Sequence, residues 1–160
     1  MNIEHLNDWL LSKKKQSLIM GILNITPDSF SDGGDFFEKN IAIDRALEMV
    51  EQGADIIDIG GESTRPFSDP VSLKEEISRV IPVIEGICKE SDVCISIDTT
   101  KSKVASEALE AGASLINDIS AMEIDSLMVD VALKFNCPIV LMHMKGIPKN
   151  MQDNPQYQSL

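Results

Sequence analysis

Two kinds of segment alternate along the middle of this chain, and that alternation limits the fold more than any other feature. Short apolar runs rich in Ile and Val occupy residues 18–23, 55–59, 93–97, 114–116 and 138–142. They do not alternate strictly between polar and apolar, which is how strands covered on both faces of a parallel sheet read. Segments with helical spacing lie between them, at 41–52, 73–90, 104–111 and 124–135. The first puts Ile43, Ala46, Leu47 and Val50 on one stripe and ends at Gly53. The second carries Ile77, Val80, Ile81, Ile84 and Ile87, with Ser72 placed to cap it and Glu75 three residues on. The order βαβαβαβαβ predicts parallel strands joined by right-handed crossovers. The class is α/β, and two architectures stay open: a doubly wound sheet or part of a (β/α)8 barrel.

Either architecture gathers its chemistry at the carboxyl ends of the strands. The polar residues of this chain sit there. Strand one runs into Asn24 and then 26–34, strand two into Asp58 and GGESTRP, strand three into Asp98, strand four into Asn117 and Asp118, and strand five into His143. Each admits two readings. Gly60-Gly61 followed by Thr64 and Arg65 is either a tight turn with a surface cation or a place where a hydroxyl and a guanidinium fork meet phosphate oxygens. Asp98 either accepts N–H donors from a heterocycle or caps the next helix through the Thr100 or Lys101 amide. Asn117 either matches the mixed edge of a pterin or base, or is a satisfied strand-end amide. Asn24 offers a hard oxygen to Mg2+ or forms an Asx-turn before Pro27. The loop at 26–40 is long for a βα connection, and Phe30 and Asp32 within it could reach over a ligand. His143, alone at its strand end, reads better as a hydrogen-bonded structural residue than as a base.

Composition narrows the partners. Lys plus Arg is 14 and Asp plus Glu is 26, so the formal charge is 14 − 26 = −12. A general nucleic-acid binder would show a basic face, so none is expected. An anionic substrate remains possible if specific cations or a metal meet it locally. No apolar run approaches a membrane span, and residues 1–17 read as an extension without the charge order of a secretory signal. Three cysteines without CxxC spacing point to reduced thiols and a cytoplasmic setting.

Two long strings carry a resemblance. GILNITPDSFSDGG at 21–34 and GADIIDIGGESTRP at 53–66 resemble the paired signatures of the dihydropteroate synthase family, and INDI at 116–119 and LMHMKGIPKNMQ at 141–152 resemble its further segments in the same order. The resemblance implies a (β/α)8 barrel, of which this chain supplies about five strands and four helices over 18–160. It implies a Mg2+-dependent transferase of folate biosynthesis. Such an enzyme condenses 7,8-dihydropterin-6-ylmethyl diphosphate with 4-aminobenzoate to 7,8-dihydropteroate and pyrophosphate. Asn24 would touch the metal, Thr64 and Arg65 would meet the diphosphate and aminobenzoate, and Asp98 and Asn117 would hold the pterin. Ile22, Ile119 and Met142 would wall its ring. Phe30, Asp32 and Pro66 would close over the aminobenzoate, with Asp32 and Arg65 catalytic. Sulfonamides, which resemble 4-aminobenzoate, would bind too. Full-length members are commonly homodimers.

The chain departs from that pattern in length. A (β/α)8 barrel takes about 250 residues, and the family's later motifs have no counterpart here. The 160 residues are therefore expected to be an N-terminal part that turns over poorly alone. Two other readings are a pterin-binding methyltransferase-type domain, and a non-enzymatic, five-stranded doubly wound module that binds a phosphate ligand.

Overall fold

The computed structural model describes residues 1–25, 35–63, 70–146 and 155–157. Helix α1 (Ile3–Leu11) is followed by β1 (Met20–Asn24), α2 (Asp35–Glu51), β2 (Ile56–Gly60), α3 (Leu73–Glu90), β3 (Cys94–Asp98), α4 (Ser102–Ala111), β4 (Leu115–Asp118), α5 (Met128–Phe135) and β5 (Ile139–Leu141). Every expected strand is present and all are parallel, in the spatial order β1-β2-β3-β4-β5. That order decides between the two architectures. Same-handed crossovers between sequential neighbours place every crossover helix, α2 to α5, on one face, so the sheet is singly wound, as in a barrel wall. The doubly wound module is thereby corrected.

The two faces differ in chemistry. Leu23, Ile57, Ile59, Ile95, Ile97 and Ile116 point outward and are buried under α2 to α5. Burying an Ile side chain contributes roughly 1.5–3 kcal/mol, so this layer is the main source of cohesion. Small residues facing the sheet, Ala42, Ala46, Ala105 and Ala108, let the helices approach. Between α2 and α3 the approach is closer still: a Cβ on Gly86 would stand 2.2 Å from Ile43 Cδ1.

The inward face has its buried apolar cluster at the strands' amino ends. There Ile56, Cys94 and Leu115 meet Leu6 of α1, with Met1, Trp9, Leu18 and Met20 around them. Helix α1 was not anticipated; residues 1–17 read only as an extension. Its signal was Asn2 followed by Ile3, Leu6 and Leu10 at helical spacing, and Asn2 Oδ1 does accept from the His5 amide at 3.0 Å. It closes the floor of the sheet's inner face, and the Cys94 amide donates to Met1 O at 2.7 Å.

Two helix starts differ from expectation. Helix α2 begins at Asp35 rather than 41, so residues 35–40 of the expected long connection are helical. Helix α5 begins at Met128 rather than 124. The cause is a set of polar turns after β4. Asp118 Oδ1 accepts from the Ser120 amide and hydroxyl, and Oδ2 from the Met122 amide, all at 2.8 Å. Ala121 and Met122 take positive φ of 51° and 68° to permit this. Among the described residues no helix is long and apolar enough to cross a membrane.

Candidate active site

Parallel register lines up one row of side chains at the carboxyl ends: Asn24, Gly60, Asp98, Asn117 and Val140, on strands β1 to β5 in turn. All five belong to the inward face. Gly60 supplies no side chain, and that absence shapes the row. A Cβ there would stand 3.5 Å from both Asn24 Oδ1 and Asp98 Oδ2. The amide oxygen and the carboxylate therefore converge over the glycine from its two flanks. One step down, Ile22, Asp58 and Ser96 form the next row, in register with one another. Ile22 is 62% exposed, a bare aliphatic surface beside these polar groups.

Asp58 is buried, and its Oδ2 accepts from Asn117 Nδ2 at 3.0 Å. Burial raises its carboxyl above the ordinary value, and the adjacent Ser96 hydroxyl and Asn117 amide offset part of the rise. Asp58 Oδ1, Ser96 Oγ and Asp98 Oδ1 are buried without hydrogen-bond partners among the described residues. Asp98 is pushed up to about 7, first by burial and then by the negative charges of Asp58, Glu76, Asp118 and Glu62. It does not cap α4. The Lys101 amide donates to Thr99 Oγ1 at 3.2 Å and the Ser102 amide to Asp125 Oδ2 at 2.8 Å. Its carboxylate is left for something in the mouth.

Behind this row lies an ionic cluster that sequence reasoning missed. Glu76 of α3 is fully buried, its Oε1 accepting from Thr99 Oγ1 at 2.6 Å and its Oε2 from Lys101 Nζ at 2.5 Å. Lys101 also pairs with Glu62. Burial would lower the Lys101 ammonium, but the two carboxylates outweigh it and raise it. Glu62 Oε1 accepts from the Val71 amide at 3.2 Å, and Arg79 donates to Gly61 O at 2.7 Å. Both sides of residues 64–69 are thus tied to α3 and to the start of α4. The sequence around Glu76 carries no local sign of its burial; its position opposite Lys101 distinguishes it, and that contact spans 25 residues.

The structure brings Asn24, Ile22, Asp98 and Asn117 together. Ile119 is buried just past β4. Met142, half-buried just past β5, lines a hollow of about 170 Å³ with Ser120, Glu123 and His143. His143 Nε2 lies 3.2 Å from Tyr157 Oη on the surface, a pairing in keeping with its structural reading. Phe30, Asp32, Thr64, Arg65 and Pro66 lie outside the described residues. No group of three or more His, Cys, Asp or Glu suited to a metal occurs among the described residues.

A family model described as pterin binding enzyme matches residues 20–160. The chain belongs to the pterin-binding enzyme family. Within that family, the dihydropteroate synthase of Bacillus subtilis is 58% identical over 139 residues, covering 87% of this chain and 49% of that protein. A dihydropteroate synthase from Clostridium difficile, solved in the presence of pteroic acid, superposes with a TM-score of 0.82 at 49% identity, over 91% of this chain and 52% of that one. A Yersinia pestis dihydropteroate synthase with a sulfonamide drug superposes with a TM-score of 0.80 at 48% identity, over 90% and 52%. The chain spans about half the length of the curated relatives it matches.

Proposed function

We propose that this pterin-binding chain carries the pterin half of a dihydropteroate synthase site. The observation that carries the reading is the register of Asp98 and Asn117 on adjacent strands, one half-buried carboxylate with a buried, unpartnered oxygen and one amide, at the mouth of a singly wound sheet. Such a pair suits a flat heterocycle whose edge donates N–H groups. Ile22, Ile119 and Met142 supply apolar contact around it. Residues 18–160 form the first part of the barrel, and α1 within 1–17 closes its floor.

The reaction breaks the C–O bond between the pterin methylene and the diphosphate, with the bonding pair leaving on pyrophosphate. A C–N bond forms from the 4-aminobenzoate amine, which then loses a proton. Thr64 and Arg65 hold the departing phosphate oxygens, and the fixed cation of Arg65 stabilises charge as it develops. Asp32 favours the cationic methylene, and Phe30 and Pro66 close over the aminobenzoate ring. The neutral amine needs positioning more than activation. Asn24 is exposed, with Oδ1 3.5 Å from where a Cβ on Gly60 would stand, and such an oxygen fits Mg2+, which takes one or two protein oxygens and completes its shell with phosphate and water. Bound there with the diphosphate, the ion supplies Lewis-acid stabilisation of the leaving group. A sulfonamide would occupy the aminobenzoate side. The whole protein is read as a cytoplasmic homodimer.

The test is pyrophosphate release by the protein at its natural length, given the pterin diphosphate, 4-aminobenzoate and Mg2+. Release that depends on 4-aminobenzoate is expected, and Asp98→Ala should lower kcat/KM by about 10- to 100-fold, the worth of a hydrogen bond to a charged group. Absence of 4-aminobenzoate-dependent release would overturn the reading. The 160-residue chain by itself should turn over poorly in the same assay.

A further inference from the structure

Asp58 lies beneath the candidate site and has no part in the reaction outlined above. It is 3% exposed, on the inward face of β2, between Ile22 and Ser96 in the register. A strand at this depth does not require a carboxylate, and burying one costs stability unless it is paired. The cation of the neighbouring cluster, Lys101, is engaged with Glu62 and Glu76 instead. Among the described residues, the hydrogen bond that Asp58 makes through its side chain is the one from Asn117 Nδ2, at 3.0 Å.

That bond has a direction. An ionised carboxylate can only accept, so the Asn117 amide must turn its NH2 toward β2. Its Oδ1 is then turned away from Asp58, and among the described residues it accepts no hydrogen bond. Beside it on β3, Asp98 Oδ1 is also without a partner. We propose that Asp58 is a positioning residue that fixes the orientation of the Asn117 amide, so that the site presents two acceptors side by side. The ligand edge it selects is one with two neighbouring N–H donors, such as an exocyclic amine next to a ring N–H. An edge that placed a carbonyl opposite Asn117 would set lone pair against lone pair and is rejected. This inference rests on the pterin reading and names what enforces its specificity.

The test compares binding of pteroic acid by calorimetry in the wild type, Asp58→Asn, and the reciprocal exchange Asp58→Asn with Asn117→Asp, all at natural length. The pH is set well above the value of about 7 to which Asp98 is raised, so that its ionisation is the same in each. Asp58→Asn is isosteric but lets the Asn117 amide turn over, and affinity should fall about tenfold. The reciprocal exchange supplies a donor at 58 and so restores an acceptor at 117 that faces the ligand, and should recover most of that loss. A residue that only fills space would give no loss in the first variant and no recovery in the second, and either result overturns the inference. Should Asp58→Asn fail to fold, deuterium exchange of the Asn117 side-chain amide in the wild type decides. One slowly exchanging proton is expected, and rapid exchange of both overturns it. Failure of the wild type to bind pteroic acid would instead overturn the pterin reading, and the inference with it.

Discussion

Asp98 joins burial to function through its proton. Its carboxyl is raised to about 7 by burial and by the carboxylates around it, from an ordinary 3.8. The unfolded chain therefore loses this proton near 3.8, while the folded one keeps it until about 7. Over that interval the native state holds more protons than the unfolded state, so rising pH removes stability until the native group has ionised. Asp98→Asn, which never ionises, should melt several degrees above the wild type at alkaline pH and match it near the acid end of the window. A melting difference that did not grow with pH would contradict this. Ligand binding should run the opposite way: only ionised Asp98 accepts two N–H bonds, so pterin affinity should rise through about 7 with release of a proton. At this scale the sequence was legible where strand ends announce themselves. Asp98, Asn117 and Asn24 each close an apolar run, and the register brings them into one row. Asp58 and Ser96 were harder to read, because a polar residue inside an apolar run gives no sign of which face it occupies.

Elements enter through the ties behind the site. Glu76 on α3, Lys101 before α4 and Glu62 after β2 form one cluster in which, among the described residues, a fully buried carboxylate pairs with one ammonium. Lys101→Met leaves Glu76 charged and unpaired. Losing one partner of a buried pair costs about 3 kcal/mol or more, which for a domain of this size lowers Tm by roughly 6 °C or more. Adding Glu76→Gln should return part of that loss, because the stranded charge is gone; a double variant no better than the single would show that the cluster works in some other way. The helices that hold these residues were readable from their apolar stripes, and α3 runs over the expected 73–90, with Ser72 Oγ accepting from the Glu75 amide at 3.3 Å. The start of α5 was not readable. Residues 124–127 continue its apolar spacing, but Asp118 and Ser120 hold the backbone in turns, and Asp125 Oδ1 accepts from the Leu127 amide at 3.1 Å. The competing bonds are side chain to backbone, and neither residue at positive φ is a glycine.

For the whole molecule, the alternation of segments established parallel strands but left their spatial order open, and the order separates a barrel wall from a doubly wound sheet. The deciding chemistry was nonetheless present: a doubly wound sheet has helices over both faces, whereas here Asp58, Ser96, Asp98 and Asn117 share one. An arc of five strands has two edges, and β1 and β5 are those edges among the described residues. At the β5 side the exposed surface is apolar: Leu133 of α5 is 73% exposed and Leu141 of β5 is 52% exposed, with Ile124 and Leu127 nearby in sequence. Unpaired strand edges beside exposed apolar side chains favour association. A net charge of −12 opposes it. The 160-residue chain by itself should therefore elute and scatter above its 17.6 kDa mass, and more so as salt rises. Salt shortens the range of the repulsion to about 8 Å at physiological strength and leaves apolar burial intact. Leu133→Glu with Leu141→Glu should shift the chain toward the monomer at every salt concentration. A wild type that stays monomeric in high salt would contradict this.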